Sequence, residues 1–322
     1  MRVLVTGGAG FIGSHLVEAL VKQRDEVIVL DDLSTGFEEN LESVRNNIEF
    51  INGNISDYGV LKDAMKDVEI VFHQAASRSV LRSMENPLET NEVNVTGTLK
   101  VMLASKESGV RKVVFASSSS VYGDAVEKRK FKRQKENQRP WPVSPYAVSK
   151  LSAESYTLAY ARIYQIGGIA LRYFNVFGPR QRPNSPYAAV IPVFMEAAFH
   201  KHPIEVHGTG RQSRDFTYID NVVQANLLAA KEKSIKGDLR GIFNVAVGEN
   251  YSVLDLISEL EKITKHEFEI KHTASRPGDV PKTWADISET RKKLGYKPKV
   301  NFSTGLRQTW QWFLSAKQKS KR

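Results

Sequence analysis

A tyrosine and a lysine stand four residues apart in Tyr146-Ala-Val-Ser-Lys150. On a helix that spacing places both on one face. An ammonium beside a phenol favours its ionised form and draws down a pKa that is otherwise about 10. A phenolate at neutral pH is a general base able to take the proton of a hydroxyl. Plain helix amphipathicity also produces this spacing, so the pair gains weight from two further elements. A serine run, Phe115-Ala-Ser-Ser-Ser-Ser-Val-Tyr122-Gly, lies upstream, and the chain opens on Thr6-Gly-Gly-Ala-Gly-Phe-Ile-Gly13.

These groups need a scaffold, and the hydrophobic pattern describes one. Val3–Thr6, Glu26–Leu30, Ile48–Asn52, Ile70–His73, Lys112–Ala116 and Ile169–Tyr173 read as buried strands. Helical stretches fall near 12–23, 57–66, 87–108 and 146–164. That alternation predicts an α/β chain with a doubly wound parallel sheet. After Asn175 the alternation loosens, and helices are expected near 188–200, 219–232, 252–264 and 303–316. The expected division is a dinucleotide-binding domain over 1–175, rejoined by segments near 206–264, and a smaller C-terminal substrate-binding lobe over 176–322.

Composition narrows the chemistry. The 322 residues suffice for one large domain or two closely packed ones, and they include no cysteine. Disulfide frameworks, thiolate catalysis and cysteine-ligated metals are thereby excluded, and no metal site is expected. No apolar run approaches the roughly 20 residues of a membrane span. The first residues enter directly into a strand, so cytoplasmic residence is the expectation. The net charge of +10 is concentrated in Lys128–Arg139 and in Lys317–Arg322. Without a recognition helix, stacking aromatics or zinc spacing, these charges read as a solvated loop and a frayed terminus rather than a nucleic-acid surface.

The glycines Gly7, Gly10 and Gly13 follow a strand and open a helix. They permit a tight turn and let a pyrophosphate approach backbone amides at the helix N-terminus. Asp31, at the end of the second strand, suits the two hydroxyls of an adenosine ribose and would repel a 2′-phosphate. NAD is therefore expected rather than NADP.

Taken together, the glycine spacing, Asp31-Asp-Leu-Ser-Thr-Gly36, His73-Gln-Ala-Ala76, Asn94-Val-Thr-Gly-Thr98, the serine run and Tyr146-x-x-x-Lys150 resemble the extended short-chain dehydrogenase/reductase family. More narrowly they resemble its NAD-dependent nucleotide-sugar epimerases, which implies a Rossmann sheet. The resemblance implies that Phe11, Ile12, Asp32, Ser34, Gly36, Ile55, Ala75, Ala76, Tyr146, Lys150 and Tyr173 join Gly7, Gly10, Gly13 and Asp31 in holding NAD. Asn54 stands where the family usually has an aspartate that accepts a bond from the adenine amine. An amide oxygen can accept that bond without charge, so cofactor binding is expected to persist.

By the same resemblance Ser118, Tyr146 and Lys150 are the catalytic group. Ser119 and Ser120 follow where 4,6-dehydratases and decarboxylases commonly place acids, so simple 4-epimerisation is implied: hydride leaves C4 to NAD and returns to the other face. Asn175, Ala189, Val190, Arg214, Arg276 and Asp279 resemble the residues that anchor a UDP moiety. Thr283 occupies the position where hexose-only epimerases carry a tyrosine. A smaller side chain there leaves room for an N-acetyl group, favouring UDP-GlcNAc/UDP-GalNAc with UDP-Glc/UDP-Gal also accepted. UDP-glucuronate epimerases and decarboxylases share small residues at this gate and stay open as alternatives. So does a catalytically idle NAD- or RNA-binding protein. The resemblance also implies a homodimer, built on the helices near 87–108 and 146–164.

Overall fold

In the computed structural model, which describes residues 1–123, 133–183, 188–232, 241–275 and 280–319, the apolar runs form parallel strands. They are β1 (Arg2–Thr6), β2 (Glu26–Asp31), β3 (Ile48–Asn52), β4 (Ile70–His73), β5 (Lys112–Ser118) and β6 (Gly167–Tyr173). Their order is β3-β2-β1-β4-β5-β6, and a strand not anticipated from the sequence, Ile242–Val245, pairs in parallel with the outer edge of β6. Alternate residues of each strand serve opposite faces. Val3 and Val5 pack with Leu16, Leu20 and Ala225, whereas Leu4 packs with Leu61, Val101 and Met102. A sheet buried on both faces explains why its strands read as continuous apolar runs.

The strand order reverses between β1 and β4, and at such a switch point the carboxyl ends diverge and open a crevice. Gly7 leaves β1 with φ +69°, and a Cβ on it would lie 2.7 Å from the Ala75 Cα that follows β4. The two loops can approach only because that side chain is missing.

The helix expected over 87–108 is interrupted. Pro87–Asn91 and Gly97–Glu107 are α-helical, and Glu92–Thr96 between them is a π-helical turn. Such turns redirect side chains within a helix. Here the turn carries Asn94, whose amide donates to the Ser77 carbonyl (2.9 Å) and to Ser149 Oγ (2.9 Å) and whose oxygen accepts from Ser77 N (2.8 Å).

The remaining helices include Ile219–Lys231, Val253–Thr264 and Phe302–Lys319. Residues 124–132 and 320–322 lie outside the described residues; in the following part of the basic segment Arg133, Lys135 and Arg139 are exposed to solvent, while the backbone between them is docked. Gln134 is buried, donating its N–H to the Trp284 carbonyl (2.7 Å) and accepting at its own carbonyl from Asp286 N (2.9 Å). The C-terminal helix holds helical form through Lys319, and Lys317 pairs with Glu196 at 2.7 Å. Among the described residues no helix is long and apolar enough to cross a membrane, and no cluster of metal-ligating side chains is present.

Candidate active site

The helix Phe11–Lys22 starts at Gly10 without a side-chain cap, so the amides of its first turn face the crevice uncommitted to protein side chains. A Cβ on Gly13 would stand 2.1 Å from the Gly7 carbonyl oxygen, so the glycine turn closes only with glycine there. Across the crevice Asp31 accepts from Ala9 N and Leu33 N, each at 2.9 Å. Burial raises its pKa, and those two amides oppose the rise by favouring the carboxylate. Uncapped amides facing an oriented carboxylate fit a dinucleotide, with its diphosphate on the amides and its ribose diol on Asp31.

One cleft gathers most of the expected cofactor residues. Gly7, Gly10, Phe11, Ile12, Gly13, Asp31, Asp32, Ser34, Gly36, Asn54, Ile55, Ala75, Ala76, Tyr146 and Lys150 all line it. Tyr173 does not reach its wall. It lies behind Gln74, which does, and its hydroxyl bonds to Gln74 Oε1 (3.2 Å) and Asn226 Oδ1 (3.0 Å). Asn54 Nδ2 donates to Asp32 Oδ2 (2.6 Å) and its Oδ1 accepts from Ser56 N (2.8 Å), which leaves the oxygen a second lone pair for the bond expected of it.

The reacting end of the cleft lies where β4, β5 and the helix Pro145–Tyr164 converge. Ser144 caps that helix by accepting from Ala147 N (3.1 Å), and Pro145 occupies its first turn. Tyr146 and Lys150 share a face as their spacing requires. Ser118, at the end of β5, is held by Ser120, whose hydroxyl donates to it at 2.9 Å, and it favours the ionised form of the Tyr146 phenol.

Lys150 Nζ donates to the Ala116 carbonyl (2.9 Å) and lies 5.0 Å over the Phe115 ring. Its burial pushes it down to about 7. Burial also holds the Tyr146 phenol above the ordinary tyrosine value, and the groups opposing that rise are Ser118 and the charge of Arg78. Arg78, which the sequence reading did not select, lines the same cleft.

Beneath this end, His73 accepts or donates on both sides, to Thr6 Oγ1 (2.7 Å) and Thr98 Oγ1 (2.9 Å). Burial, and then the Lys150 charge, lower its pKa to about 3, so the imidazole is neutral at physiological pH. Glu154, four residues beyond Lys150 on the same helix face, accepts from Ser117 Oγ at 2.6 Å. Glu154 also went unselected, although the 146-150-154 spacing makes it legible.

A second cleft opens beside the first. Asn175, Ala189, Val190 and Arg214 line it together with Phe177, Phe216, Glu205 and Gln212. Thr283 stands behind Asn175, donating its hydroxyl to Asn175 Oδ1 at 2.9 Å. Its backbone is fixed by Thr283 N to Ser213 O (3.0 Å) and Ser213 N to Pro281 O (3.0 Å), next to Arg214. Arg276 and Asp279 lie outside the described residues.

Fold and first cleft are those of a dinucleotide-binding α/β protein, and the comparisons agree. The profile of the NAD dependent epimerase/dehydratase family matches residues 3–246. The chain belongs to this family, within the short-chain dehydrogenase/reductase superfamily, and NAD is its cofactor. Three solved structures resemble it along nearly its whole length. The UDP-N-acetylglucosamine 4-epimerase of Methanobrevibacter ruminantium, in complex with UDP-N-acetylmuramic acid, is 39% identical with a TM-score of 0.91, covering 98% of each chain. The UDP-glucose 4-epimerase of Thermotoga maritima with UDP-glucose is 36% identical, TM-score 0.92, over 98% of this chain and 99% of that one. The UDP-glucuronic acid 4-epimerase of Bacillus cereus, with UDP-glucuronic acid and NAD, is 33% identical, TM-score 0.90, over 98% and 100%. The chain is accordingly a homologue of the UDP-sugar 4-epimerases, which are isomerases.

Proposed function

We propose that this protein interconverts UDP-GlcNAc and UDP-GalNAc, and with them UDP-Glc and UDP-Gal, by epimerisation at C4. The observation that carries the reading is the placing of Tyr146 and Lys150 together in the cofactor cleft, with Ser118, held by Ser120, at the end of β5. Elimination or decarboxylation needs a second acid or base near the sugar. The serines Ser119 and Ser120 that follow provide none, and Ser120 is engaged in orienting Ser118.

In this reading Tyr146 takes the proton of the 4-hydroxyl, and Ser118 holds the oxygen as its charge changes. NAD, when bound, supplies the hydride acceptor and donor. The residues that would hold it are Gly7, Gly10, Phe11, Ile12 and Gly13 around the diphosphate, Asp31 at the ribose, and Lys150 at the nicotinamide end. Asn175 and Arg214 in the second cleft anchor the nucleotide, so the sugar can turn while its diphosphate stays fixed. Thr283, smaller than a tyrosine and drawn against Asn175, leaves space for an N-acetyl group.

UDP-glucuronate is the second reading, favoured by the same small gate residue and by the Bacillus cereus relative. A homodimer is supported by apolar side chains exposed on the helix Pro145–Tyr164 and beside it, among them Val148, Tyr156, Ile163 and Leu88. Incubation with each UDP-sugar in turn, with product configuration read by proton NMR, decides the substrate. Inversion at C4 of UDP-GlcNAc is expected, and turnover confined to UDP-glucuronate would overturn the preference.

A further inference from the structure

We propose that Asp215 is a positioning residue whose carboxylate holds Arg214 and Thr283 in register around the second cleft. The inference rests on reading that cleft as the UDP site, and it assigns Asp215 no contact with substrate.

Arg214 and Phe216 line the second cleft, and Asp215 between them is fully buried. Its carboxylate accepts from three backbone amides on two separate segments. Oδ1 takes Val247 N (3.1 Å), and Oδ2 takes Gly248 N (3.1 Å) and Ala285 N (3.3 Å). Val247 and Gly248 follow the strand Ile242–Val245 at the edge of the main sheet, and Ala285 lies two residues past Thr283. One side chain thus ties together the segment that carries Arg214, the end of the sheet and the segment that carries Thr283.

The places of the two cleft residues follow from those ties. Arg214 Nη1 donates to the Ser213 carbonyl (2.9 Å), so the guanidinium travels with the main chain beside Asp215. Thr283 is tied to the same frame. Asn250 Nδ2 donates to its carbonyl (2.7 Å), and Trp284 Nε1 donates to Gly248 O (3.0 Å). Both bonds run to residues 248–250, the stretch that Asp215 anchors at Val247 and Gly248. A shift there moves Thr283 relative to Arg214.

The chemistry of the node explains a carboxylate there. Taking a charge out of water is costly unless hydrogen bonds replace its hydration. Burial pushes Asp215 up to about 7, and the three amides oppose that rise by favouring the ionised form. A carboxylate offers two acceptor oxygens and no donor, whereas an amide of the same shape offers one oxygen and an NH2 group. In Asp215→Asn one oxygen position becomes a donor facing a backbone N–H, so at least one tie is lost while the volume is kept.

Isothermal titration calorimetry with UDP, on the enzyme carrying its bound NAD, tests this. Asp215→Asn, checked for fold by circular dichroism, should weaken UDP binding about 10-fold or more, the scale of one lost buried hydrogen bond. KM for the UDP-sugar should rise by a similar factor, with kcat and NAD content close to the parent's. Asp215→Ser, too short to span both segments, gives the same reading should the asparagine variant not fold. Lys112→Met controls for lost stability. Its ammonium donates to the Ala229 and Ala230 carbonyls, each at 3.0 Å, at the end of β5 opposite Ser118, and its loss should leave UDP affinity unchanged. Equal UDP affinity in a folded Asp215 variant and the parent overturns the proposal. So does a matching loss in Lys112→Met, or a loss of NAD as large as that of UDP, since either marks general destabilisation. A parent that binds no UDP refutes the reading of the second cleft and this inference with it, whereas unchanged variants refute the positioning role alone.

Discussion

Glu154 grips Arg172 through two hydrogen bonds, 3.0 Å from Nε and 2.6 Å from Nη2, with both side chains almost wholly out of water. The carboxylate lies two turns along from Tyr146 and the guanidinium on β6, so the pair fixes the rotation of the helix Pro145–Tyr164 against the sheet. Removing one member leaves the other charged and buried, and Arg172→Met should cost about 3–5 kcal/mol. The double variant Arg172→Met/Glu154→Leu should recover most of that loss. Urea unfolding curves measure both, and a double variant no more stable than the single would refute this account.

Tyr146→Phe should lower turnover by roughly 10²–10⁴-fold while UDP-sugar and NAD still bind. The base works only when deprotonated, and burial holds the phenol above its ordinary value. The parent kcat/KM should therefore rise with pH through neutrality and level off on the alkaline side. A profile that instead falls across that range would remove Tyr146 from the role of base.

Gly13→Ala would bring a Cβ to 2.1 Å from the Gly7 carbonyl and 2.8 Å from the Gly8 Cα. The turn must open, and NAD retention should fall on the order of 100-fold. Gly109→Ala makes the contrast. Its φ is +71° but nothing lies within 4 Å of an added Cβ, so only the left-handed strain of about 1–2 kcal/mol is expected, with NAD retained. NAD content after desalting, measured beside thermal melting, distinguishes the two variants.

Thr283→Tyr should suppress turnover of N-acetylated sugars by about 10-fold or more relative to plain hexoses, the scale of discrimination a pocket's shape can give. It also breaks the Thr283–Asn175 hydrogen bond, which Thr283→Val breaks without adding bulk. Equal losses for both sugar classes in Thr283→Tyr would refute the gate, and matching losses in Thr283→Val would assign the effect to Asn175. Competition assays with paired UDP-sugars read the ratio directly.

Six of the seven strands of the main sheet were legible in the sequence, with ends within two residues, because burial on both faces leaves a continuous apolar signature. Ile242–Val245 escaped because its run is short and contains Asn244, whose side chain is bonded to Gln134 O (2.9 Å), Asp286 O (3.0 Å) and the Tyr122 hydroxyl (2.7 Å). A polar residue satisfied by distant partners looks like a loop when read locally. The docking of the basic segment was hidden for the same reason. Arg133 stacks over Trp284 at 4.6 Å and the Glu136 carboxylate accepts from Asn244 N at 2.9 Å, contacts invisible to a count of charge.

By itself the sequence determined what depends on neighbours along the chain. The glycine turn, the acid ending β2, and the shared helix face of Tyr146 and Lys150 follow from backbone sterics and the 3.6-residue repeat. Tertiary structure decided which charges those groups meet. It turned Lys150 toward the Ala116 carbonyl, brought Arg78 to the wall of the phenol's cleft, and set Thr283 against Asn175. Electrostatic influence acts through space and depends on burial, so residue spacing can place a tyrosine on its helix but cannot fix the groups that surround it.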